Sequence, residues 1–250
     1  MTPPPVSARN AVPELGPEIY AGWRASDIGV ITERLERALI LKLAGEVRGK
    51  KVLDVGCGDG DLALALWQQG ALPTGVDLST EMLATARARA EAKAAEIGFV
   101  LAATERLPFG AATFDLVLAV TVLCFIEDAA PVFREMARVL RPGGKLVVGE
   151  LGKWSSWALA RRVRAWCGSA LWARARFRSR RELIGLAQQA GLEVETIRGA
   201  IYYPRVRVLA RLCARWDAAL GRLTTFGAAF LALAARKTAA ERAGGEWAMR

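Results

Sequence analysis

Nine residues, Val52-Leu53-Asp54-Val55-Gly56-Cys57-Gly58-Asp59-Gly60, constrain the fold more than any other stretch of the chain. The apolar, partly β-branched run before the glycines predicts a buried strand. The glycines predict a tight turn. Behind Asp61, the residues Leu62, Leu64, Leu66 and Trp67 among alanines predict a helix. A glycine turn between strand and helix lets a ligand approach the backbone with no Cβ in the way. It also aims free helix N–H groups at that ligand.

The spacing narrows the ligand. A dinucleotide fingerprint needs glycines at the first, third and sixth positions of the turn. Those positions here are Gly56, Gly58 and Asp61, so the third glycine is missing and Gly60 comes one residue early. Asp54, two residues before the first glycine, suits a cationic ammonium group better than a pyrophosphate. A second strand, Leu72 to Val76, ends in Asp77, whose carboxylate can accept both hydroxyls of a ribose.

Further segments follow in a set order. Gly75-Val76-Asp77-Leu78-Ser79 comes first. Arg106-Leu107-Pro108-Phe109 then precedes the strand Phe114 to Leu118. Arg138-Val139-Leu140-Arg141-Pro142-Gly143-Gly144 leads into a fifth strand, Lys145 to Glu150. With the Val52–Gly60 run, this set resembles the class I S-adenosylmethionine-dependent methyltransferases, specifically the small type 11 branch, strongly over residues 45–150. The resemblance implies an α/β, Rossmann-like fold: a mixed seven-stranded sheet in the order 3-2-1-4-5-7-6 with helices on both faces. It implies S-adenosyl-L-methionine as cofactor. Asp54, Gly56 and Gly58 would hold its methionine half, with Cys57 as a small buried filler in the same turn. Asp77 would bind the ribose, Leu78 and Met82 would lie against the adenine, and the Val120 carbonyl would meet the adenine amine. The family often has an acid just before the Leu-Pro-Phe segment. Ala103 stands there, which leaves backbone, Thr104 or Glu105 for adenine.

A chain of 250 residues allows one large core. Residues 1–17, with five prolines, read as a loose tail. Residues 18–250 read as a single domain: an N-terminal cap over 18–48, a cofactor-binding core over 49–150, and insertions on the substrate side at 151–181 and 203–225. The start of the chain lacks the pattern of a signal peptide, and the longest apolar run, Phe226 to Ala235, is too short to span a bilayer. The cysteines Cys57, Cys124, Cys167 and Cys213 have no paired spacing, which argues for a reducing compartment and against a structural metal. The expected location is cytoplasmic, with the inner membrane face as an option.

Charge divides the chain. Residues 1–150 hold 16 basic and 19 acidic residues, whereas residues 151–250 hold 19 and 6. Lys153 to Arg181 contains nine basic residues, four tryptophans and no acid. Leu159, Val163, Trp166 and Ala170 line one face of a predicted helix. Leu209, Leu212, Cys213, Trp216, Leu220 and Leu223 line another, with Arg207, Arg211 and Arg215 to one side. Three readings of this half stay open: a solvated arginine face, a lid for an anionic or extended aromatic substrate, or contact with an anionic membrane surface. Specific nucleic-acid binding is not expected. Methyltransferases of exocyclic base nitrogens carry an Asn/Asp-Pro-Pro-Tyr turn where this chain has Val120-Thr121-Val122-Leu123.

The expected partner is therefore a small-molecule substrate, anionic or lipid-like. The chain has no histidine, which removes the commonest general base. Asp, Glu, Tyr or a thiolate must serve if one is needed. Glu150 at the end of the fifth strand, Glu127 and Asp128 after the fourth, and Tyr20 in the cap are the candidates. Tyr20 and Trp23, in a Tyr-x-x-Trp start, are placed to close the site or to staple the cap helix (residues 18–40) to the core.

Overall fold

The structure, a computed structural model, describes residues 16–238. One sheet contains β1 (Lys51–Val55), β2 (Leu72–Asp77), β3 (Gly98–Leu101), β4 (Phe114–Val120), β5 (Leu140–Leu151), β6 (Leu192–Ala200) and β7 (Phe230–Lys237). The strand order is β3-β2-β1-β4-β5-β7-β6, as the resemblance implies. Strands β1 to β5 run parallel, and β7 runs antiparallel to both β5 and β6. The order reverses between β1 and β4, and in open sheets of this kind ligands bind in the crevice beyond the carboxyl ends of the two strands at such a reversal.

Parallel strands covered on both faces become continuous apolar runs. Val52, Leu53 and Val55 of β1 are fully buried, as are Val117 and Leu118 of β4. On one face lie α5 (Ala130–Val139) and α8 (Arg180–Gln189), through Phe133, Met136, Leu183 and Ala187. The other face carries α2 (Asp27–Ala44), α3 (Asp61–Gln68), α6 (Ser156–Trp166) and α9 (Arg207–Leu223), through Ile40, Leu66, Trp157 and Ala210. Two further helices are α4 (Thr80–Glu91), after β2, and the short α7 (Ala170–Arg174).

The cap is two helices rather than one. α1 (Pro17–Ala25) ends at Ser26, whose hydroxyl accepts from the Gly29 N–H and so starts α2. Pro17 therefore belongs to a helix, not to the tail assigned to residues 1–17; residues 1–15 of that tail lie outside the described residues. β5 starts at Leu140, five residues before the predicted Lys145, because Leu140 pairs with Phe114 ahead of a register shift. The last strand runs over Phe230–Lys237.

The faces that turn inward are not the large apolar ones. The stripe Leu159, Val163 and Trp166 of α6 faces solvent, with Trp166 86% accessible, and Ala170 belongs to α7 instead. The inner face is instead Trp157, Ala158 and the partly buried Arg161. α9 is turned the same way. Its inward positions are Ala210, Asp217 and Gly221. The Asp217 carboxylate accepts from the Ile201 and Tyr202 N–H groups at 2.9 and 3.0 Å. Gly221 sits against the Gly199 carbonyl, with no room for a Cβ. Small residues and a backbone-binding carboxylate thus set α9 on the end of β6. Its large apolar face is left outside, with Leu212 52%, Trp216 62% and Leu223 83% accessible.

Candidate functional site

The glycine turn lies at the carboxyl end of β1, facing the crevice. Gly56, Gly58 and Gly60 all have positive φ (72°, 53° and 73°), which side-chain-bearing residues rarely adopt. A Cβ at Gly56 would strike the Val122 side chain, so the turn and the loop after β4 press together at the crevice floor. The Gly56 and Cys57 N–H groups donate to the Val76 carbonyl at 2.7 and 2.9 Å. Cys57 is buried against Gly75, and burial pushes its thiol up, so it is a filler and no nucleophile. After Val120, Thr121 has φ +52°, a strained value at the strand end beside the crevice.

Asp54 and Asp77 face this turn differently. Asp77 holds the loop, accepting from the Gly58 N–H at 2.8 Å and the Ser79 N–H at 2.9 Å. Both its oxygens keep lone pairs free for further donors. Asp54 is 2% exposed and its Oδ2 has no hydrogen-bond partner. Burial first, then the charge of Asp77, pushes its carboxyl up to about 7. An enclosed, unpartnered carboxylate oxygen is costly unless a donor arrives. A ligand ammonium supplies that donor, so the residues present fit the implied cofactor. Binding then requires the ionised form of Asp54. Cofactor affinity should fall roughly tenfold from pH 7.5 to pH 6. Calorimetry at the two pH values tests this, and Asp54→Asn should flatten the dependence; an unchanged native affinity would contradict it.

The remaining expected cofactor contacts lie on β4, on α4 and in the loops after β2 and β3. Met82 is nearly buried on α4, its N–H donating to the Ser79 hydroxyl. Leu78 is half-buried. Thr104 is 7% exposed and donates to Glu105 at 3.1 Å. Val120 pairs with Gly149 at the end of β4.

The cap is fastened over the turn by ions. Arg24 of α1 reaches Asp59 at 2.8 Å and Glu33 at 2.9 Å. Arg37 of α2 pairs with Glu33 and Asp61. Arg89 of α4 meets Asp59 at 2.6 Å and Asp61 at 2.9 Å. Asp61, where a dinucleotide fold would have glycine, is thus a node linking cap and core. None of these roles carried a local sequence signal.

The four proton-acceptor candidates are scattered. Glu150 is fully buried under the loop after β4 and accepts from the Leu123 N–H at 2.9 Å; burial pushes it up to about 8. Glu127 lies at the surface, 3.6 Å from Arg176. Asp128 accepts from the Ala130 N–H at the start of α5. Tyr20 is partly buried under the Arg24 guanidinium, and burial pushes its hydroxyl up to about 12. Sequence reasoning missed Glu36 of α2. Burial pushes it up to about 7, against the opposing charge of Arg161. Trp23 meets Trp157 edge-on at 5.9 Å, beside this carboxylate's neighbour Arg161. Among the described residues, no group of three or more His, Cys, Asp or Glu is arranged to hold a metal ion. None of their helices is long and apolar enough to cross a membrane.

A family described as a methyltransferase domain matches residues 53–148. The ubiquinone biosynthesis O-methyltransferase of Idiomarina loihiensis is 36% identical over 162 residues, covering 62% of this chain and 67% of that protein. The protein of the same description from Thiobacillus denitrificans is 35% identical, covering 64% and 72%. Among solved structures, a S-adenosylmethionine-dependent methyltransferase from Thermotoga maritima superimposes with a TM-score of 0.66 at 22% identity, over 88% of this chain and 95% of that one. Turn, buried carboxylate and strand order agree with these relationships: the chain belongs to the class I S-adenosylmethionine-dependent methyltransferases of the type 11 branch, and uses that cofactor to methylate a small molecule.

Proposed function

We propose that this methyltransferase works at an anionic membrane surface, on an oxygen of a lipid-like or quinone-like acceptor. The observation that carries the reading is the outward orientation of two amphipathic helices. α6 and α9 each bury a narrow face and turn their large apolar residues to solvent. Trp154 and Phe226, 59% and 76% accessible, extend the apolar surface where the two insertions meet; there the Gly227 N–H donates to the Trp154 carbonyl. Exposed apolar patches of this kind mark contact surfaces. Arginines flank both faces, and Arg164 and Arg222 have no acidic partner among the described residues. Such flanks repel a second copy of the same surface and attract anionic head groups. The ubiquinone biosynthesis relatives support an oxygen acceptor of quinone type.

S-adenosylmethionine supplies an already activated methyl group, so the protein's work is positioning and relief of the acceptor's proton. In a chain without histidine we place that proton on Glu36. A carboxylate pushed up to about 7 is suited to proton transfer near neutrality. Glu150 is committed to the Leu123 N–H, and Glu127 and Asp128 stand at the surface. The cap tyrosine, Tyr20, with its raised hydroxyl, closes the site beside Arg24. For the adenine end we keep Thr104, Glu105 and the Val120 carbonyl as contacts, with Leu78 and Met82 on the ring.

The test uses methyl-labelled cofactor with separated membrane and aqueous extracts of cells. Label should enter an organic-extractable product from the membrane fraction. Label confined to water-soluble products would overturn the acceptor class.

A further inference from the structure

Two arginines approach a common indole, and neither has a direct ion pair among the described residues. Arg161 lies 5.3 Å from the Trp157 ring and 4.6 Å from the Trp172 ring. Arg205 lies 5.2 Å from Trp157 and 5.5 Å from Trp23. Trp157 is itself fixed. It is 2% exposed, and its Nε1 donates to the Tyr203 carbonyl at 2.7 Å. Both guanidinium groups are therefore aimed by a rigid ring. Among the described residues neither has a carboxylate within ion-pair distance, and the Arg161 Nε is buried with no hydrogen-bond partner. The groups facing Arg161 are Glu36, Cys124, Arg164 and Arg205. Glu36 makes no direct ion pair with it. Cys124 is a buried thiol whose Sγ donates to the Thr121 carbonyl at 3.2 Å. The charge of Arg161 thus acts on Cys124, in the loop after β4.

Two like charges, partly desolvated and unpaired, repel each other unless an anion joins them. The planar fork of arginine suits a carboxylate or phenolate, and aromatic walls suit a flat ring. We propose that Arg161 and Arg205, aimed by Trp157 and Trp172, clamp the acidic group of an aromatic acceptor and so set the acceptor specificity of this enzyme. The site takes a ring bearing one negative charge. This inference rests on the methyltransferase reading but not on membrane docking.

The experiment compares 4-hydroxybenzoate with 4-hydroxybenzamide, a matched acid and neutral amide. Both are titrated by tryptophan fluorescence into the full chain saturated with S-adenosylhomocysteine. The native protein should bind the acid at least about tenfold more tightly than the amide. Arg161→Gln should bring the ratio near one, Arg205→Gln should lower it in part, and Arg161→Lys should restore it in part. Affinity for S-adenosylhomocysteine and binding to anionic vesicles should stay unchanged in Arg161→Gln, so failure of this inference is separable from failure of the docking reading. If Arg161→Gln loses its native circular dichroism, Arg205→Gln carries the comparison. Equal affinities for acid and amide in the native chain, binding of neither, or an unchanged ratio in the variants overturns the inference.

Discussion

Asp77→Ala should weaken S-adenosylmethionine binding by about 100-fold or more. The carboxylate fixes the glycine turn through the Gly58 and Ser79 N–H groups, and in the proposed assignment its remaining lone pairs would accept the ribose hydroxyls. Hydrogen bonds to a charged group contribute roughly 1.5–3 kcal/mol each. Loss of two or three such contacts therefore exceeds the roughly 2.7 kcal/mol that a 100-fold change represents. Asp77→Asn should fall between, because an amide retains one acceptor and turns an N–H₂ toward a backbone donor. Calorimetry measures the affinity and thermal melting checks the fold. An affinity within about threefold of native in Asp77→Ala would contradict the assignment.

The combined substitution Leu212→Ser, Trp216→Ser and Leu223→Ser should abolish vesicle binding while leaving folding and cofactor affinity intact. All three side chains point away from the core, so their loss should move the melting temperature by only a few degrees. Burying a large apolar side chain contributes about 1.5–3 kcal/mol when complete. Three half-exposed ones therefore supply on the order of 3–4 kcal/mol of interfacial affinity. Vesicle partitioning should drop by more than about 100-fold. A cooperative loss of stability instead would mean that the face packs within the fold. Unchanged partitioning would mean that α9 is not the contacting helix.

The cofactor half was legible because its chemistry is written in the backbone. Positive φ at Gly56, Gly58 and Gly60 requires glycine, and a strand buried on both faces requires an apolar run such as Val52 to Val55. Such demands are local, so short motifs report them. The strand order followed from the same motifs through the family resemblance.

The acceptor half was legible only as helices. Periodicity located α6 and α9, but a periodic apolar stripe has the protein core as its default partner. In α9 the inward face is instead Ala210, Asp217 and Gly221, chosen by the Ile201 and Tyr202 N–H groups and by the Gly199 carbonyl. Those partners are distant in sequence. Arg161 likewise carried no signal of its own among nine basic residues, and only the fold sets it against Trp157 and Trp172. Glu36 gave no signal at all, being one acid in a charged cap helix. The ion network of Arg24, Asp59, Asp61 and Arg89 was hidden for the same reason.

The most direct measurement is flotation of the native chain with vesicles of phosphatidylcholine alone and of phosphatidylcholine mixed with phosphatidylglycerol, at about 0.1 M salt, where surface charge still acts over roughly 10 Å. A methyltransferase that docks through α6 and α9 floats with the anionic vesicles and stays largely behind with the neutral ones. Recovery of the protein at the bottom of both gradients would contradict the membrane-surface account.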